Sequence, residues 1–170
     1  MSKDITSLGR LRAEMQAFRA GFNNLFLATV SPTGVPEASA MPMVAGDAGE
    51  FYIYVSALSR HTSNLESNPQ AGVLLIQDEQ SAPNAFARKR LSYQCQATRI
   101  ARESQRFNDI MRIFGRRFGN IVETLQNLPD FQLICLTPVS GTYVRGFAQA
   151  WRLSGPGLAD LQHLNPARDA

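Results

Sequence analysis

Apolar positions along the chain repeat first with a helical period and then with a sheet period. Leu8, Leu11, Met15, Phe18 and Phe22 recur at steps of three and four, with Arg10, Arg12, Glu14 and Arg19 between them. This spacing predicts an amphipathic helix over residues 1–22, with Gly21 as its stop. A β-type run then covers 25–30 and ends at Ser31-Pro32-Thr33-Gly34, a turn tetrad with Pro second and Gly fourth. A second strand follows over 36–44. Ala45-Gly46-Asp47-Ala48-Gly49 turns the chain into a third strand over 51–56. Two hairpins in succession predict an antiparallel meander.

After residue 56 the pattern changes. Residues 60–68 read as a short helix that ends at Asn68-Pro69. Residues 71–77 are an uninterrupted apolar run, the signature of a strand buried on both faces. The stretch 78–87 is polar, a loop or short helix, and a long strand follows over 89–100. The longest helix is expected over 103–128, on a stripe of Phe107, Met111, Phe114, Phe118, Ile121, Val122 and Leu125. Gly115 and Gly119 weaken that helix without interrupting its stripe, and Pro129 ends it. Two further strands, 131–136 and 142–147, are joined across Pro138-Val139-Ser140-Gly141, and a short helix is expected over 158–164. Six or seven strands in short antiparallel connections predict a mostly β fold, a Greek-key barrel with flanking helices. It is a single domain over 1–170: helix 1–22, barrel 23–151 carrying the long helix, and tail 152–170.

Composition narrows the class. With 44% hydrophobic and 18% charged residues in 170, the chain is neither disordered nor a coiled coil. No apolar run reaches the roughly 18 residues of a membrane span, and the charged N-terminus is no secretory signal. The expectation is a cytoplasmic protein with no membrane partner. Cys95 and Cys135 stand apart among strand-like residues, as buried free thiols of a reducing compartment, and form no zinc-type pair. The net charge of +3 is mild, and its short basic groups lack interleaved aromatics. That excludes a nucleic-acid surface and favours small acidic ligands.

Candidate chemistry concentrates in Val55-Ser56-Ala57-Leu58-Ser59-Arg60-His61-Thr62-Ser63-Asn64, where a strand hands over to a helix. Free backbone N–H groups, hydroxyls and one guanidinium there suit an anion, a phosphate in particular. An ordinary helix cap by Ser59 is the competing reading. His61 and His163 are the two histidines, and neither lies in a metal-ligating spacing. Arg88-Lys89-Arg90 opens the fifth strand, where alternation turns at least one cation toward the bound face. Asp130, after Pro129, reads as a turn residue. Phosphate-loop, dinucleotide-binding and nucleophile-elbow motifs are missing.

Several strings together carry a resemblance. They are Leu27-Ala28-Thr29-Val30 with Gly34-Val35-Pro36; Ser59-Arg60-His61-Thr62 with Asn64-Leu65 and Asn68-Pro69; Phe86-Ala87-Arg88-Lys89-Arg90-Leu91; Pro129-Asp130-Phe131; and Val144-Arg145-Gly146-Phe147-Ala148-Gln149-Ala150. In this order, over about residues 10–165, the chain resembles the pyridoxamine 5'-phosphate oxidase-like FMN-binding split barrels, nearest to their heme-utilisation branch. The resemblance implies a homodimer of six-stranded split barrels with ligand sites at the subunit interface. For FMN it implies that Ser39, Ala40 and Met41 face the isoalloxazine ring, followed by Val55 and Ser56. Ser59, Arg60 and His61 would hold the phosphate, with Arg90 of either subunit adding charge. His61 stands where the oxidases usually carry lysine.

An FMN-dependent oxidoreductase is therefore the first expectation. The alternative is a heme-binding or heme-degrading protein. Heme-utilisation members ligate iron through a histidine of the C-terminal tail, supported by an acidic residue of the partner, and Asp130 matches that acid. The ligating position itself falls at about Arg168, and a guanidinium stays protonated and cannot ligate iron. His163 is the remaining tail candidate. A non-catalytic dimeric module is the third reading. Pyridoxamine phosphate oxidation is not expected, since Trp151-Arg152 only faintly echoes the substrate motif of the true oxidases.

Overall fold

The computed structural model describes residues 2–164, with side chains from Ser7 onward; the Arg168 position lies outside the described residues. α1 (Ser2–Ala20) ends one residue before Gly21 and packs Leu11, Met15 and Phe18 against the barrel core. Strand alternation does the rest. β1 (Asn24–Val30) buries Leu25, Leu27 and Thr29, and β2 (Pro36–Ala45), paired with it residue for residue, buries Met41 and Met43 on the same inward side. Gly34 makes their turn at φ +83, a backbone region that favours glycine. β3 (Phe51–Ser56) pairs with β2, α2 (Arg60–Ser67) crosses the mouth of the barrel, and β4 (Gln70–Ile76) lies on the other side of β1. Two 3-10 turns lead into β5 (Arg90–Ile100).

β6 (Phe131–Gly146) closes the ring. Its first half pairs with both β5 and β3, so the order β3-β2-β1-β4-β5-β6 returns on itself as a six-stranded antiparallel barrel. The second half of β6 continues as a platform for β7 (Gln149–Ser154) and β8 (Asp160–His163). One core fills the barrel, and a second lies where the long helix covers β2, β3 and β6. Cys95 and Cys135 are free and buried, one in each core, as expected. No helix among the described residues is long and apolar enough to cross a membrane.

Four elements depart from the sequence pattern. The expected helix 103–128 is two helices, α3 (Gln105–Phe118) and α4 (Ile121–Gln126), because Gly119 takes φ +74 and ψ −155. The apolar stripe persists across that break because both helices cover the same core. The expected strands 131–136 and 142–147 are one strand: Gly141 passes through the sheet, and a Cβ there would lie 2.8 Å from the Tyr93 ring and 2.9 Å from the Ser92 carbonyl oxygen. Its glycine serves close approach, not a turn. The expected helix 158–164 is β8, whose Leu161 sits opposite Leu153 and packs on the core. Finally, β4 buries only alternate residues. Its other face, Gly72, Leu74 and Ile76, joins Phe26, Ala28, Val30, Ala38 and Ala40 in an apolar outer surface, with Phe26 52% exposed.

Candidate functional site

The corner between β3 and α2 gathers most of the candidate residues. Register places Ser56 opposite Phe131, so the residue before β6, Asp130, meets the end of β3. The Ser56 hydroxyl donates to Asp130 Oδ2 at 2.6 Å and accepts from the Leu58 amide at 3.1 Å, while the Ala57 amide donates to the Asp130 carbonyl at 2.8 Å. Thr62 Oγ1 donates to the Ser56 carbonyl at 2.7 Å and fixes the first turn of α2. Asp130, a turn residue on local grounds and the supporting acid of the heme-utilisation resemblance, is clamped into the same corner as Ser59–Arg60–His61. No sequence signal could show this, because it depends on the β3–β6 register.

Ser59 has the extended backbone of a helix cap, but its hydroxyl makes no capping bond. Arg60 is exposed and forms no ion pair among the described residues. His61 turns under the helix. Its Nε2 is buried without a hydrogen-bond partner, and burial lowers its pKa below the ordinary histidine value against the opposing pull of Glu37 on β2. Ser39 Oγ, two residues along from Glu37 on the same side of β2, is likewise buried and unpartnered. Asn64 anchors the helix from beneath by donating to Thr29 Oγ1 at 3.0 Å, both residues being buried.

Other candidates are dispersed. Ser39 and Met41 point into the barrel and Ala40 points out, so the three side chains do not share a face. Val55 is a core residue. Arg90 pairs with Ile76 and Val144 at the opposite end of the barrel from α2, and its guanidinium donates to the Arg88 carbonyl at 3.2 Å. Its neighbours are engaged elsewhere: Arg88 with the Gln77 carbonyl and Glu79, and Lys89 with Glu14 at 3.0 Å. His163 lies on β8 opposite Trp151, exposed, its ring edge-on to the indole at 5.2 Å. The sequence pattern did not show that pairing, because β7 and β8 were not legible as strands. Trp151 in turn pairs with Tyr143, so Asp130 and His163 stand at opposite ends of β6, about 40 Å apart along the strand. One chain does not bring them together.

A six-stranded antiparallel barrel with a helix across one mouth and a polar strand-to-helix corner is the split-barrel class. The chain belongs to the pyridoxamine 5'-phosphate oxidase family, whose model matches residues 11–145. Within it the chain is 40% identical over 156 residues, 92% of its length and 88% of the relative's, to a Vibrio cholerae protein named heme oxygenase HutZ. A crystal structure of HutZ, called a heme storage protein, superposes with a TM-score of 0.70 at 38% identity, covering 74% of this chain and 88% of that one. Campylobacter jejuni ChuZ superposes with a TM-score of 0.83 at 30% identity, over 93% of this chain and 65% of that one.

These findings overturn the first expectation, an FMN-dependent oxidoreductase. The curated relative that spans nearly the whole chain bears a heme name, not a flavin one. Burial lowers the His61 pKa, so this position offers a phosphate less charge than the lysine usual in the oxidases.

Proposed function

We propose that this chain binds heme as its substrate or cargo, in a site that two copies build between them. The carrying observation concerns the two histidines: His61 is half-buried with its Nε2 closed to solvent, whereas His163 presents its imidazole on an outermost strand. Iron takes an imidazole nitrogen, and His163 presents its ring to solvent on that strand. The 40% identity to a named heme oxygenase supports the same ligand.

The remaining parts fit a flat, apolar dianion. Arg90, with no acid as partner among the described residues, suits a heme carboxylate. Asp130, held by Ser56, would accept the N–H of the other ring nitrogen of the partner copy's His163 and fix its tautomer and orientation. Bound heme supplies iron redox chemistry; the chain's own residues bind and orient it. The apolar outer face of β1, β2 and β4 is where the two copies would meet.

Titration of the purified protein with hemin tests this. A saturable Soret band should appear, and His163→Ala should remove it. An unchanged band and affinity in His163→Ala would overturn the proposed ligand. Given ascorbate and air, the same samples report turnover as loss of that band.

A further inference from the structure

A cavity separate from the β3–α2 corner lies at the end of the barrel away from α2. It measures about 210 Å³ and is lined by Met15 and Arg19 of α1, Tyr93 of β5, Pro138 of β6, Leu153 of β7 and Leu158 in the turn before β8. Most of this wall is apolar, yet Arg19 brings a full positive charge to it. The Arg19 guanidinium donates to the carbonyls of Gly46 at 3.5 Å and Glu50 at 3.2 Å, and lies 4.8 Å over the Phe51 ring. Its Nε is buried with no acceptor, and no carboxylate among the described residues pairs with it. A guanidinium half-withdrawn from water without an anion is an incomplete arrangement.

Tyr93 supplies a second donor. Its hydroxyl makes no hydrogen bond among the described residues, and burial pushes its pKa up to about 12, so it stays a neutral O–H. Gly141 lets β6 pass close to Tyr93 and Leu153 of this wall, since a Cβ there would strike the Tyr93 ring at 2.8 Å and Leu153 at 3.2 Å.

We propose that this cavity binds a short aliphatic carboxylate, with its anionic end on Arg19 and Tyr93 and its chain against Met15, Leu153 and Leu158. The carboxylate accepts from Arg19 Nη1, which makes no hydrogen bond among the described residues and lies beside Gly49 in the cavity wall, and from the phenolic O–H, while the apolar wall takes the alkyl part. Room for roughly seven water volumes admits an acid of about four to six carbons and excludes a porphyrin. The site is therefore independent of the heme reading.

Calorimetric titration of the full-length protein with butyrate, acetate and butyramide tests it. Butyrate should bind saturably and more tightly than acetate, and the neutral isostere butyramide should not bind. Arg19→Gln and Tyr93→Phe should each weaken butyrate at least about ten-fold. Leu158→Trp, which fills the cavity from a half-buried turn position, should abolish binding with the melting curve retained. Equal binding of butyrate and butyramide, no saturable heat with butyrate, or unchanged affinity in Arg19→Gln overturns the proposal. Should Arg19→Gln fail to fold, undiminished butyrate binding in both Tyr93→Phe and Leu158→Trp overturns it equally.

Discussion

His61 shows how one residue can mislead a reading made from sequence. In the string Ser59-Arg60-His61-Thr62 it reads as a charge for an anion, yet its ring lies under α2 and burial lowers its pKa from 6.5. The linkage sign follows. The folded state binds its proton less readily than the unfolded chain does, so the stability His61 contributes is intact above about 6.5 and is lost as pH falls from there through the lowered value. His61→Gln, which cannot charge, should show a smaller loss of urea midpoint between pH 7.5 and pH 5 than the parent protein. An equal loss in both would mean that another group sets the acid limb. What the sequence did convey here is residue type and position: a helix start, hydroxyls and a guanidinium at residues 59–62, all of which the structure has. Burial and direction were not legible, since they arise from β2 and β1 packing across the helix.

At the level of elements, the strand pattern through residue 56 was readable almost to the residue, because hairpins are local and their turns carry Pro and Gly signals. The errors came where glycine or an apolar run had two meanings. Gly115 and Gly119 both looked like weak points in one helix, but only Gly119 has the backbone that an L-residue resists. The two therefore predict opposite outcomes. Gly119→Ala should destabilise by about 1–3 kcal/mol, whereas Gly115→Ala, in regular helix with open space at its Cβ, should stabilise by about 0.5–1 kcal/mol. Chemical denaturation of the two variants checks both signs. The anchor of α2 allows a similar test. Asn64→Ala leaves the buried Thr29 hydroxyl without its 3.0 Å donor and should cost about 1–3 kcal/mol. Added to Thr29→Val, it should cost clearly less, the shortfall being the pair's coupling in a double-mutant cycle.

For the whole molecule, the decisive fact is the geometry of β6, which carries Asp130 before one end and supports His163 beyond the other. α1 is fixed over the far end by Glu14, which takes hydrogen bonds from Lys89 at 3.0 Å, Tyr143 at 3.1 Å and Arg145 at 3.2 Å. Burial alone would raise the Glu14 pKa, but these donors and the charges of Lys89 and Arg145 prevail and hold it below the ordinary carboxyl value. With both ends of the barrel pinned, a single chain has no way to fold His163 back onto Asp130. A site that uses both residues must be shared, and the exposed Phe26 on the apolar outer sheet marks the surface that sharing would cover. Two measurements follow. Phe26→Asp should shift the protein toward monomer in light scattering and lose hemin binding in step, because a carboxylate in the contact face opposes burial. His163→Ala and Asp130→Asn, each defective alone, should regain one intact site per mixed dimer when unfolded and refolded together. At random pairing about half of all dimers are mixed and each holds one intact site of two, so roughly a quarter of the parent Soret amplitude should return. No recovery from the mixture, with both variants folded and dimeric, would mean that His163 and Asp130 do not meet across the interface.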